Sequence, residues 1–381
     1  MRTRPPSTDR AVSARGARGF TMVELMIAVF IGMFTLLAVA QVLAFVEGQK
    51  RSVVYGSEAQ VGGTLALDQI GRDILQSGYG LVTFGAAAGC PIAASFNGAP
   101  VDGFPARLGP ITITADPTGG PDTIRVLRSG KTSFSVPIPV VAPGYTPGTG
   151  FVVSHTLGVK GDATDGDLML AVSGADTTCE LFQVNAAVST AKLVPRVDDA
   201  GWNAPGKPAL PYSDGSTLVN LGTLVDQTYA IANGALMVRQ LSSGGGAAPA
   251  YAAAAELVPG IVSLKALYGK DTNADGKIDT WDTTVPTTSA QWQTVVAVRL
   301  AVVARSTQFE RIQKPEDMPT KANLEWHMGS DTVNGAVLPA CSSGGGGCLP
   351  IKLDHLPDWK RYRYKLFEAV VPVRNAIWSR S

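Results

Sequence analysis

The chain has 381 residues, and its 42 glycines and 25 prolines set against 17% charged residues exclude a charged helical bundle. Lys plus Arg (32) nearly balance Asp plus Glu (31), but residues 1–19 hold five arginines and one acid, so the remainder carries a formal net charge of −3. A slightly acidic body excludes a protein whose main task is gripping phosphate backbones, and no nucleic acid is expected among its partners. The first predicted element begins behind the arginines. Leu25 to Val46 is 22 residues without a charge, long enough at ~1.5 Å per residue to cross a hydrocarbon core of ~30 Å. The basic leader predicts a membrane anchor whose N-terminal end stays in the cytoplasm and whose body, after Val46, crosses to the other side. The apolar run passes directly into a polar helical stretch that ends at "QSGYG", unlike an ordinary secretory signal. Within that stretch Leu67, Ile70 and Ile74 share one face, as expected where a sheet packs, and Val54, Val61 and Leu65 lie on another face, open to a partner. No proline occurs between Phe20 and Gln76. Gly48, Gly56, Gly62, Gly63 and Gly71 are the expected weak points, at about 1 kcal/mol each relative to alanine.

A single acid, Glu24, stands near the start of the span. A carboxylate inside a span costs about 2.5–3.5 kcal/mol on insertion scales, so it should find a partner. No Lys or Arg lies between Phe20 and Val46. A cut after Gly19 would supply the missing cation as a new, mostly protonated α-amino group. In a staggered packing of identical helices that amine reaches Glu24 of the next copy. The basic leader, the Gly19–Phe20 junction, the acid and the unbroken span in "RGFTMVELM" resemble the class III signal of type IV prepilins. The resemblance implies cleavage between Gly19 and Phe20 by prepilin peptidase, N-methylation of Phe20, and a role for Glu24 in setting assembly register.

From Tyr79 onward the text is β-like, with short runs such as "GFVVSHTL", "GDLMLAVSG" and "CELFQVN" between Gly, Pro, Asp and Asn punctuation. The expected class is α+β: a leader over 1–19, a helix over 20–78 whose residues 20–46 span the membrane, and an antiparallel β-rich domain over 79–381 packed on the helix. Ser242 to Ala255, "SSGGGAAPAYAAAA", reads as a flexible loop. Strands are expected in "ELVPGIVSLKALYG", "QTVVAVRLAVVARS" and "YRYKLFEAVVPVRN". "WKRYRYK" reads as a half-buried strand, with Arg361, Arg363 and Lys365 on one face and Tyr362, Tyr364 and Leu366 on the other. A Gly-Lys-Thr at Gly130 lacks the first glycine of a P-loop, because Arg125 stands in its place. No nucleophile elbow, His-Glu-x-x-His helix or Cys-His spacing is present, so the chain reads as no enzyme.

The four cysteines fit disulfides if the body lies outside the cytoplasm. Three pairings are possible, and Cys341–Cys348 with Cys90–Cys179 is preferred because "CSSGGGGC" has the flexibility to close a short loop. A zinc site would want closer ligand pairs or nearby histidines, and His155, His327 and His355 are scattered in the chain. "DTNADGKIDTWD" has an EF-hand-like order of oxygen donors for calcium. Asp271, Asn273 and Asp275 alternate up to the turn glycine Gly276, followed by the Lys277 carbonyl, Asp279 and Asp282, with Asp in place of the final Glu. Its flanks read as strands, and the other reading is a plain hairpin turn.

"GRDILQSGYG", "ELVPGIVSLKALYGKDTNADGKIDTW", "VVAVRLAVVARS" and "YRYKLFEAVVPVRN", taken in this order, resemble the PilW family of minor type IV pilins. The resemblance implies a low-abundance subunit that helps initiate the pilus. It implies partnership with prepilin peptidase, other minor pilins, the major pilin and a large tip adhesin, and a final place at the pilus tip. The competing expectations are a minor pseudopilin of a type II secretion system and a DNA-uptake or adhesive tip subunit.

Overall fold

The computed structural model describes residues 19–81, 87–132, 136–173, 179–188, 192–199, 201–206, 211–242, 248–309 and 322–375, with backbone alone for 47–56 and 93. Leader residues 1–18, and the side chain of Val54, lie outside the described set. Helix α1 runs from Met22 to Gln76. The chain divides into two compact units, Met1–Val54 and Tyr55–Ser381, so the last turns of α1 fold with the β-rich body. In the first unit, Met22–Val46 is apolar on every side and wholly unburied, the pattern of a helix whose solvent is lipid.

In the second unit α1 is one-sided. Ala66, Ile70 and Ile74 are fully buried, whereas Val61 and Leu65 on the opposite face are 67% and 51% exposed. Spacings of three and four residues put the first set on one stripe against the sheets. Gly63 and Gly71, two of the glycines expected to weaken this helix, let it approach the sheets. A Cβ on Gly63 would sit 2.2 Å from the Phe367 ring, and one on Gly71 would touch Val371. The helix stops at Gln76, where Gly78 and Gly80 take left-handed φ values of 71°. Ser77 Oγ donates to the Ile74 carbonyl, and Asn375 Nδ2 donates to the Ser77 carbonyl from the far end of the chain.

Two sheets meet the helix. One is antiparallel and four-stranded, in the order Thr280–Asp282, Ile261–Lys270, Val295–Arg305, Tyr364–Pro372. The other is built around Leu224–Ala232, with Thr123–Ser129 and Ala235–Ser242 on its two sides. Tyr268 ties them together: its phenol accepts the Ile113 amide at 2.7 Å and donates to the Ile111 carbonyl at 3.0 Å. The first sheet is covered on both faces. Leu300 and Val302 belong to the core beside α1, while Ala301 and Val303 pack with Trp326 and Ile351 of the hairpin formed by Asn323–Gly329 and Gly347–Lys352. Burial on both faces is the reason "VVAVRLAVVA" lacks polar alternation. Its one charge, Arg299, lies near the Trp281 and Trp326 rings and pairs with Asp331 and Glu368. A third sheet of seven strands, including Leu168–Val172 and Thr217–Gly222, encloses its own apolar cluster around Phe151 and Phe182.

Three expectations need correction. "WKRYRYK" is not one strand: Trp359–Arg361 is a 3-10 turn entered through left-handed Asp358, and the strand begins at Tyr364. Its Arg361 stacks over Phe309, and its Tyr362 ring receives Arg305 from the Val295–Arg305 strand. "QTVVAVRL" opens in the short helix α2 (Ser289–Thr294), capped by Thr288, before its strand starts at Val295. The stretch 242–255 is not loop throughout. Ala250–Tyr251 pairs with the Ala235–Ser242 strand, and the Tyr251 hydroxyl joins Arg125 and the buried Asp226. One aromatic with a polar tip suffices to pin a stretch that composition alone marks as mobile; residues 243–247 lie outside the described set.

Candidate functional site

The N-terminal segment is arranged around Glu24. Gly19, Phe20 and Thr21 are non-helical and exposed, and α1 starts at Met22. The Glu24 amide donates to Thr21 Oγ1 at 3.3 Å, while the Thr21 amide and hydroxyl donate to Glu24 Oε2 at 3.2 and 3.1 Å. This is a reciprocal capping box, in which a Thr and an acid three residues on satisfy each other's unpaired backbone donors. The acid also lies in the first turn, where the helix dipole favours negative charge. The sequence carries the signal, a Thr-x-x-Glu before an apolar run, but reading Glu24 only as half of an intermolecular pair passes over its neighbour Thr21.

A second surface lies on the Tyr55–Ser381 unit. Val61, Gly62 and Leu65 of α1 and Val258 and Pro259 of the sheet line an open apolar groove of about 400 Å³. At its rim Thr307 Oγ1 donates to Glu58 at 2.8 Å. Beneath the helix a polar contact fixes its rotation, as the Tyr229 hydroxyl donates to the buried Asp73 carboxylate. Burial, and then the neighbouring Asp73, pushes the Tyr229 phenol up.

The loop expected to hold calcium is a tight turn between Ile261–Lys270 and Thr280–Asp282, with Ala274 and Gly276 left-handed. Asp271 accepts the Gly276 amide at 3.2 Å, Asn273 Oδ1 accepts the Asp275 amide, and Asp275 accepts the Lys277 amide. Asp279 accepts from the Thr272 hydroxyl and amide, each at 2.7 Å, which hold its carboxyl below the usual carboxylate range. Asp282 turns to Lys270 at 2.7 Å. Among the described residues, the loop's carboxylates do not come together as a group of three within 4.8 Å.

Cys90 pairs with Cys179 and Cys341 with Cys348. The one histidine that sequence distance misplaces is His327. The hairpin register sets it opposite Cys348, and its ring nitrogen lies within 4.8 Å of both Cys341 and Cys348 sulfurs. Those sulfurs are bonded to each other.

Residues 14–40 match the model of the prokaryotic N-terminal methylation motif, and residues 225–375 match that of the type IV pilus-assembly protein W. The chain is a type IV pilus minor pilin carrying a PilW-family domain. The methylation motif makes this minor pilin a substrate of prepilin peptidase and places it among other pilins during assembly. The W-protein match disfavours the secretion-system and DNA-uptake readings. It spans all four strands of the sheet that carries Phe367 and Val371 against α1, and the Asp271–Asp282 loop within that sheet. No curated protein and no solved structure matches this minor pilin.

Proposed function

We propose that this minor pilin is cut between Gly19 and Phe20 and methylated on Phe20, waits in the inner membrane with its body in the periplasm, and enters the pilus as an initiating subunit near the tip. The observation that carries this reading is the Thr21–Glu24 box at the head of a fully exposed apolar helix. It holds the Glu24 carboxylate at a fixed point one turn from the proposed new ammonium. The apolar groove beside Val61 and Leu65 supports side-by-side packing with other minor pilins and the major pilin; a large tip adhesin is a further expected partner. The N-terminal peptide of the mature protein should begin at Phe20 and be one methyl group heavier, as read by mass spectrometry. An intact leader in cells with active prepilin peptidase would end this reading. Glu24→Ala should insert normally but incorporate poorly. Glu24→Gln separates charge from cap, because it keeps an acceptor for Thr21; poor incorporation of both variants assigns the role to the charge.

The Asp271–Asp282 loop is proposed as a calcium site, with Asp271, Asn273, Asp275, the Lys277 carbonyl and Asp279 as donors. Oxygen-only donors and the left-handed turn at Gly276 support it. Asp282 stays with Lys270, and Asp279 would exchange its Thr272 donors for the ion. Binding only the folded form stabilises it by about 2.7 kcal/mol at a hundredfold excess over Kd. The protein should therefore melt higher in calcium than in chelator, and Asp271→Ala with Asp275→Ala should abolish the difference.

A further inference from the structure

Asp167 is buried where three segments meet: the edge of the Leu168–Val172 strand, the neighbouring Thr217–Gly222 strand, and the turn after Thr123–Ser129. Lys131 Nζ donates to its two oxygens at 2.8 and 2.6 Å, and Asn220 Nδ2 donates to Oδ2 at 2.9 Å. A primary amine and a carboxamide thus share one carboxylate oxygen. Asn220 is 1% exposed, and the Lys131 side chain only 13%. The other end of the carboxamide is also held: Asn220 Oδ1 accepts the Gly222 amide at 2.9 Å. Gly222 is left-handed, and a Cβ on it would sit 3.0 Å from Lys131 Cδ, so a glycine there leaves the lysine its path.

We propose that Lys131 and Asn220 become joined by an intramolecular isopeptide bond, formed by the folded chain itself with Asp167 carrying the proton. The lysine ammonium passes a proton to Asp167, and the freed Nζ lone pair attacks Asn220 Cγ. The Gly222 amide faces the oxygen on which negative charge develops. Asp167 then protonates Nδ2, the Cγ–Nδ2 bond breaks, and the new amide nitrogen gives its second proton to Asp167, which hands it to the departing ammonia as ammonium. One C–N bond forms and one breaks, with no oxidant, reductant or second reactant. An unassisted amine and amide do not exchange at a useful rate in water, and each element of this site addresses that barrier. Holding the reactants in place is worth an effective molarity of up to ~10⁵–10⁸ M. A positioned acid–base group typically adds ~10²–10⁴-fold, and a donor at the developing oxyanion ~10²–10³-fold. A single turnover per molecule demands far less than an enzyme's rate. The product would tie the turn after one sheet to a strand of another, by a link that reduction does not open.

Mass spectrometry of the mature protein, reduced and alkylated, tests this. The expected chain is lighter by one ammonia, and its digest holds a branched peptide that joins Lys131 to Asn220. Ammonia is also lost if a succinimide forms at Asn97-Gly98, Asn233-Gly234 or Asn334-Gly335, so the branched peptide is the deciding readout. Lys131→Arg keeps the charge beside Asp167 but cannot couple, and should restore the full mass. Asp167→Asn should leave the two residues unlinked or link them many-fold more slowly. Separate linear peptides containing unmodified Lys131 and Asn220, from wild-type protein that resists proteolysis as a folded body, would overturn the proposal. The triad would then be a buried ion pair satisfied by an asparagine.

Discussion

Between Met22 and Val46 every residue of α1 is exposed, with Phe30 at 73% and Leu36 at 72%, whereas between Gly63 and Ile74 buried positions recur every three or four residues. Both stretches are helical, and both contain glycine. Gly32 would meet nothing within 4 Å if it carried a Cβ, while Gly63 would strike the Phe367 ring. In the first stretch, apolar character all round satisfies a solvent with no preferred side. In the second, each residue answers to a particular neighbour, and small size matters as much as apolarity. The same element therefore tolerates substitution very differently along its length.

The sharpest test of that contrast is Ile70→Ala, which should lower the stability of the body by about 2–5 kcal/mol through lost burial and a cavity. Ile27→Ala should leave the urea midpoint of the same intact protein unchanged. Next in size, Tyr229→Phe removes the donor to buried Asp73 and should cost about 1–3 kcal/mol. Pairing it with Asp73→Leu should recover part of that loss, because no carboxylate is then left buried; equal losses for the single and double variants would show that the contact does not orient the helix. Gly63→Leu should cost about 1–3 kcal/mol from overpacking against Phe367, offset by about 1 kcal/mol of helix propensity. Gly32→Leu should be silent in the same unfolding assay. The smallest effect belongs to Leu65→Ser on the exposed face, within about 0.5 kcal/mol in stability. Its incorporation into pili should nonetheless fall, and normal incorporation would separate the groove from assembly.

Local chemistry made much of this legible in the sequence. The span, the glycines that stop α1, the buried stripe through Ile70 and Ile74, and the β-rich body all follow from periodicity and punctuation over neighbouring residues. What stayed hidden depends on register and on distant pairing. His327 and Cys348 are brought opposite each other by a hairpin whose alignment nothing short-range dictates. Tyr251 reads as part of a slack linker because Arg125 and Asp226, which hold it, come from other strands. Gly63 reads as a flaw in a helix until Phe367, hundreds of residues later, occupies the space it leaves. By local spacing Lys131 is only a stray piece of a phosphate-binding motif. Its partner Asp167 lies 36 residues further along the chain, and Asn220 lies three more strands beyond that.

The Thr21–Glu24 box has one more consequence. Both of its residues lie on the same side of the bond proposed for cleavage, and Gly19 and Phe20 ahead of it are non-helical. At Gly19 and Phe20 themselves a peptidase has no helical turn to melt. What it leaves behind is a helix whose opening turn is closed by its own side chains, before and after the cut alike. Removal of the leader rewrites the charge at this end of the molecule while leaving its shape in place.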